Sequence, residues 1–228
     1  MGRFTFAIVF LFAVIALPVF LVILVSCVAN VTEQQRRTRI REWAMANGWM
    51  YQVNPRVPWL GRLPGRHRRA LGVSLTARLG GHWVTVTEYS YVTRSGSGDS
   101  ETTTRHHYIV VAVQMDRAHP WLAVHRRGLV SQFGRALFGD AATATGNALF
   151  DSRFRIDAFD ARHAKVMVSP GLVQAHVAGA VPEWSLVGNE LLTYTRTYDK
   201  IRDPGQIPMY AAQLLRVADL LGPVAAVR

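Results

Sequence analysis

The sequence predicts an α+β protein: an N-terminal transmembrane helix, then an antiparallel sheet domain packed with helices. Three observations predict it. An almost unbroken apolar run occupies residues 4–31. Period-two alternation broken by glycine turns follows it, as in strands with one buried face. An apolar stripe of helical period ends the chain. A pleckstrin-like barrel, two sheets closed by the last helix, is one subtype. Helices between residues 128 and 179 count against its simplest version.

The apolar run reads FTFAIVFLFAVIALPVFLVILVSCVANV, with Pro18 near its middle. It exceeds the ~20 residues needed to cross a bilayer, and a proline is tolerated in such a helix. Arg3 precedes it, and Arg36, Arg37, Arg39 and Arg41 follow. The positive-inside rule then predicts a single pass of the cell membrane with the domain in the cytoplasm. Three other readings stay open: a span with the domain outside, a cleaved signal, and a lipidated Cys27 after the lipobox-like Leu24-Val25-Ser26. The implied division is an anchor at 1–31, a basic juxtamembrane helix and loop at 32–72, and a soluble α+β domain at 73–228.

The formal charge is +11. Residues 31–82 hold ten arginines and two glutamates, whereas residues 83–228 hold fifteen basic and thirteen acidic groups. Positive charge beside an apolar head suits anionic phospholipid headgroups. Arg36, Arg37, Arg39, Arg41, Arg66, Arg68 and Arg69 are the residues expected to face them. A nucleic-acid surface can carry a similar cluster, but the place beside a span disfavours it. The partners expected are therefore the bilayer and an unidentified protein. Cys27 is the one cysteine, so no disulfide or thiol nucleophile is available after the head.

Residues 36–47 read as a short helix, with Ile40, Trp43, Ala44 and Asn47 on one face and Gly48 as its stop. Trp49 and Tyr51 start a strand. Residues 54–69, with three prolines and two glycines, form a loop. Val73, Leu75, Ala77 and Leu79 alternate with polar residues up to Gly80-Gly81, a two-residue turn of the type I′ kind. The next strand carries Val84, Val86, Tyr89 and Tyr91. A third, over 106–113, is bulky on both faces, as in a central strand. The Ser/Gly/Thr-rich stretch between these two reads as a mobile hairpin tip. A fourth strand is expected at 121–125, a helix at 128–138, an Ala/Thr/Gly linker at 140–147 and a short strand at 154–158. Asp160 caps a helix over 161–168, and Ser169-Pro170 starts another. Strands at 184–187 and 191–194 flank Gly188-Asn189, a second hairpin signal. The last helix runs over 207–221, with Ile207, Ala211, Leu214, Ala218 and Leu221 on its stripe.

No phosphate-binding glycine loop, dinucleotide fingerprint, nucleophile elbow or zinc-protease motif occurs. His106 and His107 are adjacent in a strand, so their rings point to opposite faces. Asp157, Asp160 and His163 fall at spacings of three. The polar candidates for a site are His107, Asp160 and His163, against a structural reading in which Asp160 is only a helix cap. No cofactor and no metal ligand set is expected.

Several of these residues together resemble a known pattern. An apolar head precedes Arg39, Arg41, Glu42, Trp43, Ala44, Gly48, Trp49 and Tyr51. Pro64-Gly65, Tyr89-Ser90-Tyr91, His106-His107, Phe154-Arg155-Ile156, Ala161-Arg162-His163-Ala164 and Trp184 follow. The chain resembles a group of actinobacterial single-span membrane proteins of unknown function. That resemblance implies an anchor and supplies no activity, ligand or site residue. The expectation is a non-enzymatic binding or scaffold module at the cytoplasmic membrane. The alternative is a membrane-tethered enzyme of unknown class, which would require a convergent polar pocket.

Overall fold

The computed structural model describes residues 2–65, 69–96, 101–127 and 144–221; before Ser26, side chains are described only for Phe20 and Leu24. The chain divides into two compact units, Met1–Trp43 and Ala44–Arg228. The first is nearly all of helix α1 (Gly2–Ala46).

Here the expected anchor is corrected. Among the described residues, no helix is long and apolar enough to cross a membrane. From Ser26 on, where its side chains are described without a break, α1 holds Ser26, Asn30, Thr32, Glu33, Gln34 and Gln35 before its four arginines. That composition lacks the ~20 apolar residues of a span. The single-pass topology, the cell-membrane location and the likeness to single-span proteins fall with it. The separate helix at 36–47 is the end of α1. Gly48, at φ +73°, turns the chain away, and the Trp49 amide donates to the Ala44 carbonyl at 2.8 Å. This is the closing bond of a Schellman cap.

Beyond α1 the sheet is built from local pairing. Gly80 and Gly81 have φ of +58° and +88°, the two positive values that a type I′ turn requires. They join β2 (Ala70–Leu79) to β3 (His82–Ser95). β1 (Met50–Val53) pairs with β2, and β3 pairs with β4 (Thr102–Arg126). β5 (Phe154–Ala158) pairs with the last part of β4, and β6 (Trp184–Thr197) runs along its opposite edge. All pairings are antiparallel. The result is one six-stranded sheet, not the two-sheet barrel of the pleckstrin-like subtype.

Two expected breaks are absent. The strands predicted near 106–113 and 121–125 are one strand, β4, whose register against β6 shifts between Gln114 and Leu122. The hairpin predicted at Gly188-Asn189 is continuous strand inside β6: Gly188 pairs with His119, and the extra residues of the irregularity lie on β4 to either side of His119. Residues 97–100 of the expected tip, the helix at 128–138 and residues 140–143 of the linker lie outside the described residues.

Strand alternation splits the core between two faces. Trp59, Leu63, Tyr89, Val110, Ala112 and Leu192 pack together on one. Ile109, Val111 and Val113 point to the other. There the final helix α5 (Ile207–Leu220) packs on β3, β4 and β6, burying Ile207, Ala211, Leu214, Val217 and Ala218. Three short helices, α2 (Ala148–Arg153), α3 (Ala161–Met167) and α4 (Pro170–Val177), accompany β5. Asn147, Asp160 and Ser169 cap them through their side chains, the use these residue types have at helix starts.

Candidate functional site

The residues singled out from sequence do not converge. Asp160 is exposed and its carboxylate accepts from the Arg162 amide at 2.8 Å. His163 faces His119. Asp157 is held by Arg155 at 2.6 Å and by His125 at 3.3 Å. His107 lies on β4 beside Thr197, where burial holds its imidazole below the usual range against the opposing pull of Asp199. Its neighbour His106 does point to the other face.

The arginines are similarly dispersed. Arg36 and Arg37 share Glu33, at 2.9 and 2.7 Å. Arg39 and Arg41 are exposed on α1. Arg69 donates to the Gly65 and Leu60 carbonyls, so it serves its own loop. Arg66 and Arg68 lie outside the described residues. The anionic bilayer expected as partner loses its support with the anchor, since no described helix is long and apolar enough to cross it.

The structure assembles instead a ribbon of aromatic side chains on the loop-covered face. β3 supplies Tyr89 and Tyr91, β4 supplies His106 and Tyr108, and β6 supplies Tyr194. Register places Tyr89 opposite Tyr108 and Tyr91 opposite His106, with Arg196 beside Tyr108. The Tyr91 ring stacks on His106 at 4.7 Å and on Tyr108 at 5.8 Å, and Tyr194 meets Tyr108 edge-on at 5.9 Å. These are the offset and T-shaped geometries that aromatic quadrupoles favour. Tyr89 is buried, Tyr91, His106 and Tyr108 are half-buried, and Tyr194 is 40% exposed.

Polar groups line this ribbon. The Tyr91 and Tyr108 hydroxyls are 3.5 Å apart. Arg196 reaches His106 Nδ1 at 3.3 Å, and Thr93 Oγ1 lies 2.9 Å from Nε2. With the guanidinium donating to Nδ1, the ring proton sits on Nε2 and is given to Thr93. Burial raises the Tyr108 and Tyr194 phenols, and pushes Tyr89 up to about 12. The phenols are therefore neutral donors and acceptors at physiological pH. The pattern was visible as Tyr89-Ser90-Tyr91 and His106-His107-Tyr108, but only the register puts these rings in contact.

Residues 54–65 cover one end of the ribbon. A 3-10 turn (Pro58–Arg62) seats the buried Trp59. Tyr89 donates its hydroxyl to the Pro64 carbonyl at 2.5 Å. Gly65, at φ +89°, lies so close to Tyr91 that a Cβ would overlap the ring. Arg62 ties the loop to β6, donating to the Glu190 carbonyl at 3.1 Å and to Ser185 O and Oγ at 2.5 and 2.6 Å. Burial pulls this guanidinium down to about 10, with Glu190 opposing. On the other face, a shallow depression of about 230 Å³ is lined by Ile109, Asp199, Arg202 and Tyr210 among others. Its Asp199 is already engaged by Arg202. Among the described residues, no three His, Cys, Asp or Glu side chains gather as a metal group.

No family model and no curated relative matches the sequence. A crystal structure of the mycobacterial trehalose monomycolate transport factor A, TtfA, is similar in fold. The TM-score is 0.50 at 14% identity, over 83% of this chain and 98% of that one.

Proposed function

We propose that the sheet domain is a binding module serving transport, and that the aromatic ribbon holds a polyhydroxylated head group such as a disaccharide. The observation that carries this reading is the ribbon: four partly exposed rings in contact, edged by neutral hydroxyls and one guanidinium. Such a surface offers apolar area together with donors and acceptors, the mixture that a sugar presents in return. The fold it shares with a factor named for trehalose monomycolate transport is consistent with a sugar-bearing ligand. The scattering of His107, Asp160 and His163 gives no comparable support to an enzyme.

The test is saturation-transfer NMR of the full chain with trehalose as probe, alongside aromatic shifts. An open site of this kind binds at about 1 mM, or roughly −4 kcal/mol. Tyr91, Tyr108 and Tyr194 signals should move, and Tyr108→Ala and Tyr194→Ala should abolish the transfer. No transfer at about ten times that concentration, or equal transfer in both variants, refutes the reading.

A further inference from the structure

Two imidazoles face one another between β4 and α3. His119 is 8% exposed and His163 is half-buried, with ring centroids 5.9 Å apart and planes tilted by 42°. Two of their nitrogens, His119 Nδ1 and His163 Nε2, are buried and have no hydrogen-bond partner among the described residues. A buried polar atom left unpaired opposes folding. Two such atoms, brought together from separate elements, are one defect that a single bridging species would remove.

The backbone around His119 is irregular in the same place. β4 shifts its register to β6 on both sides of His119, and the residue opposite is Gly188 at φ +58°. Bulges of this kind re-aim a side chain out of the regular alternation. Burial, then His163 and then Arg117, holds the His119 imidazole below its usual range. It is therefore neutral at physiological pH, the state in which an imidazole ligates metal.

We propose that His119 Nδ1 and His163 Nε2 form a two-histidine site for a borderline divalent transition ion such as zinc. Imidazole nitrogens suit zinc, nickel and copper(II), whereas calcium and magnesium take oxygen. Neither group acting on His119 is a carboxylate, so the protein supplies neutral ligands and water completes the coordination. Arg117 opposes a dication, which makes the site weaker than a closed structural zinc site. Nothing in it depends on the aromatic ribbon or its ligand.

The experiment is calorimetric titration of the untagged full chain with zinc chloride at pH 7.5, with magnesium chloride as control. One zinc per chain is expected, no magnesium, and loss of zinc binding near pH 5 as protons compete for the nitrogens. His119→Gln and His163→Gln should each weaken zinc at least about tenfold, since even losing a group that supports a ligand costs that much. The chain has six other histidines, so histidine ring spectra assign the site. Zinc should move the His119 and His163 signals in the unaltered protein, which keeps the test decisive if a variant misfolds. Absence of zinc binding, zinc shifts confined to other histidines, or unchanged binding in the folded double variant overturns the proposal.

Discussion

His176 shows how much one buried side chain can weigh. It is 1% exposed on α4, edge-on to Phe150 and tilted against Phe154, and its Nε2 accepts from the Trp184 indole at 3.0 Å. The proton therefore sits on Nδ1, which is buried and without a partner among the described residues. Burial lowers this imidazole to about 4, against ~6.5 in an unfolded chain. The folded state thus binds fewer protons between those values. Stability from this group is complete above pH ~6.5 and drains away as pH falls toward 4, by about 3 kcal/mol in all. His119 and His107, also lowered, act in the same direction. Urea midpoints at pH 7.5, 6.0 and 4.5 should fall steadily, and His176→Phe should flatten the slope while lowering stability at pH 7.5, because Trp184 loses its acceptor. Parallel slopes for the two proteins would remove His176 from the account.

At the scale of elements, what was legible and what was not turns on one dihedral angle. Gly80-Gly81 and Gly188-Asn189 are similar turn signals in sequence. At the first, both residues have positive φ and the chain reverses; at the second, Gly188 alone does, and β6 continues along β4. The difference is set by the partner: β4 is irregular opposite Gly188, and the two irregularities accommodate each other. That pairing spans about 70 residues of sequence, which local propensity does not see. The β2–β3 hairpin, the central strand and the stripe of α5 were legible because their signals are local. Gly188→Ala meets no atom within 4 Å, so its cost is backbone strain alone, about 1–2 kcal/mol. For a chain of this size that is a fall in Tm of about 2–4 °C per kcal/mol. Gly188→Asn should lose less, because Asn tolerates the left-handed region. Equal losses by thermal circular dichroism would mean that something other than φ is at stake.

At the scale of the whole sheet domain, the site depends on a loop whose role its composition conceals. Residues 54–69 read as a basic loop, yet Arg62 and Trp59 are drawn inward. The cause is the set of carbonyls of Ser185 and Glu190, 123 and 128 residues away. These flank Gly188, which faces the irregular part of β4, so one guanidinium fastens the loop over Tyr89 and also holds β6 on both sides of that point. A lysine could not do both, because it lacks the planar fork of donors. Arg62→Met keeps the apolar stem but removes every donor, leaving the carbonyls it served without it. The expected cost is about 2–4 kcal/mol, from hydrogen bonds with a charged donor. Amide exchange should speed up at Leu60 and Leu63 and along residues 185–190, while the β2–β3 hairpin keeps its protection. Arg62→Lys should recover only part of the loss. Trehalose transfer to Tyr91 should weaken in Arg62→Met, because the loop end that packs Gly65 against that ring is released. If Arg62→Met leaves the urea midpoint and exchange at Leu60 and Leu63 unchanged, the loop is held by Trp59 and Tyr89 alone, and the guanidinium is not its clasp.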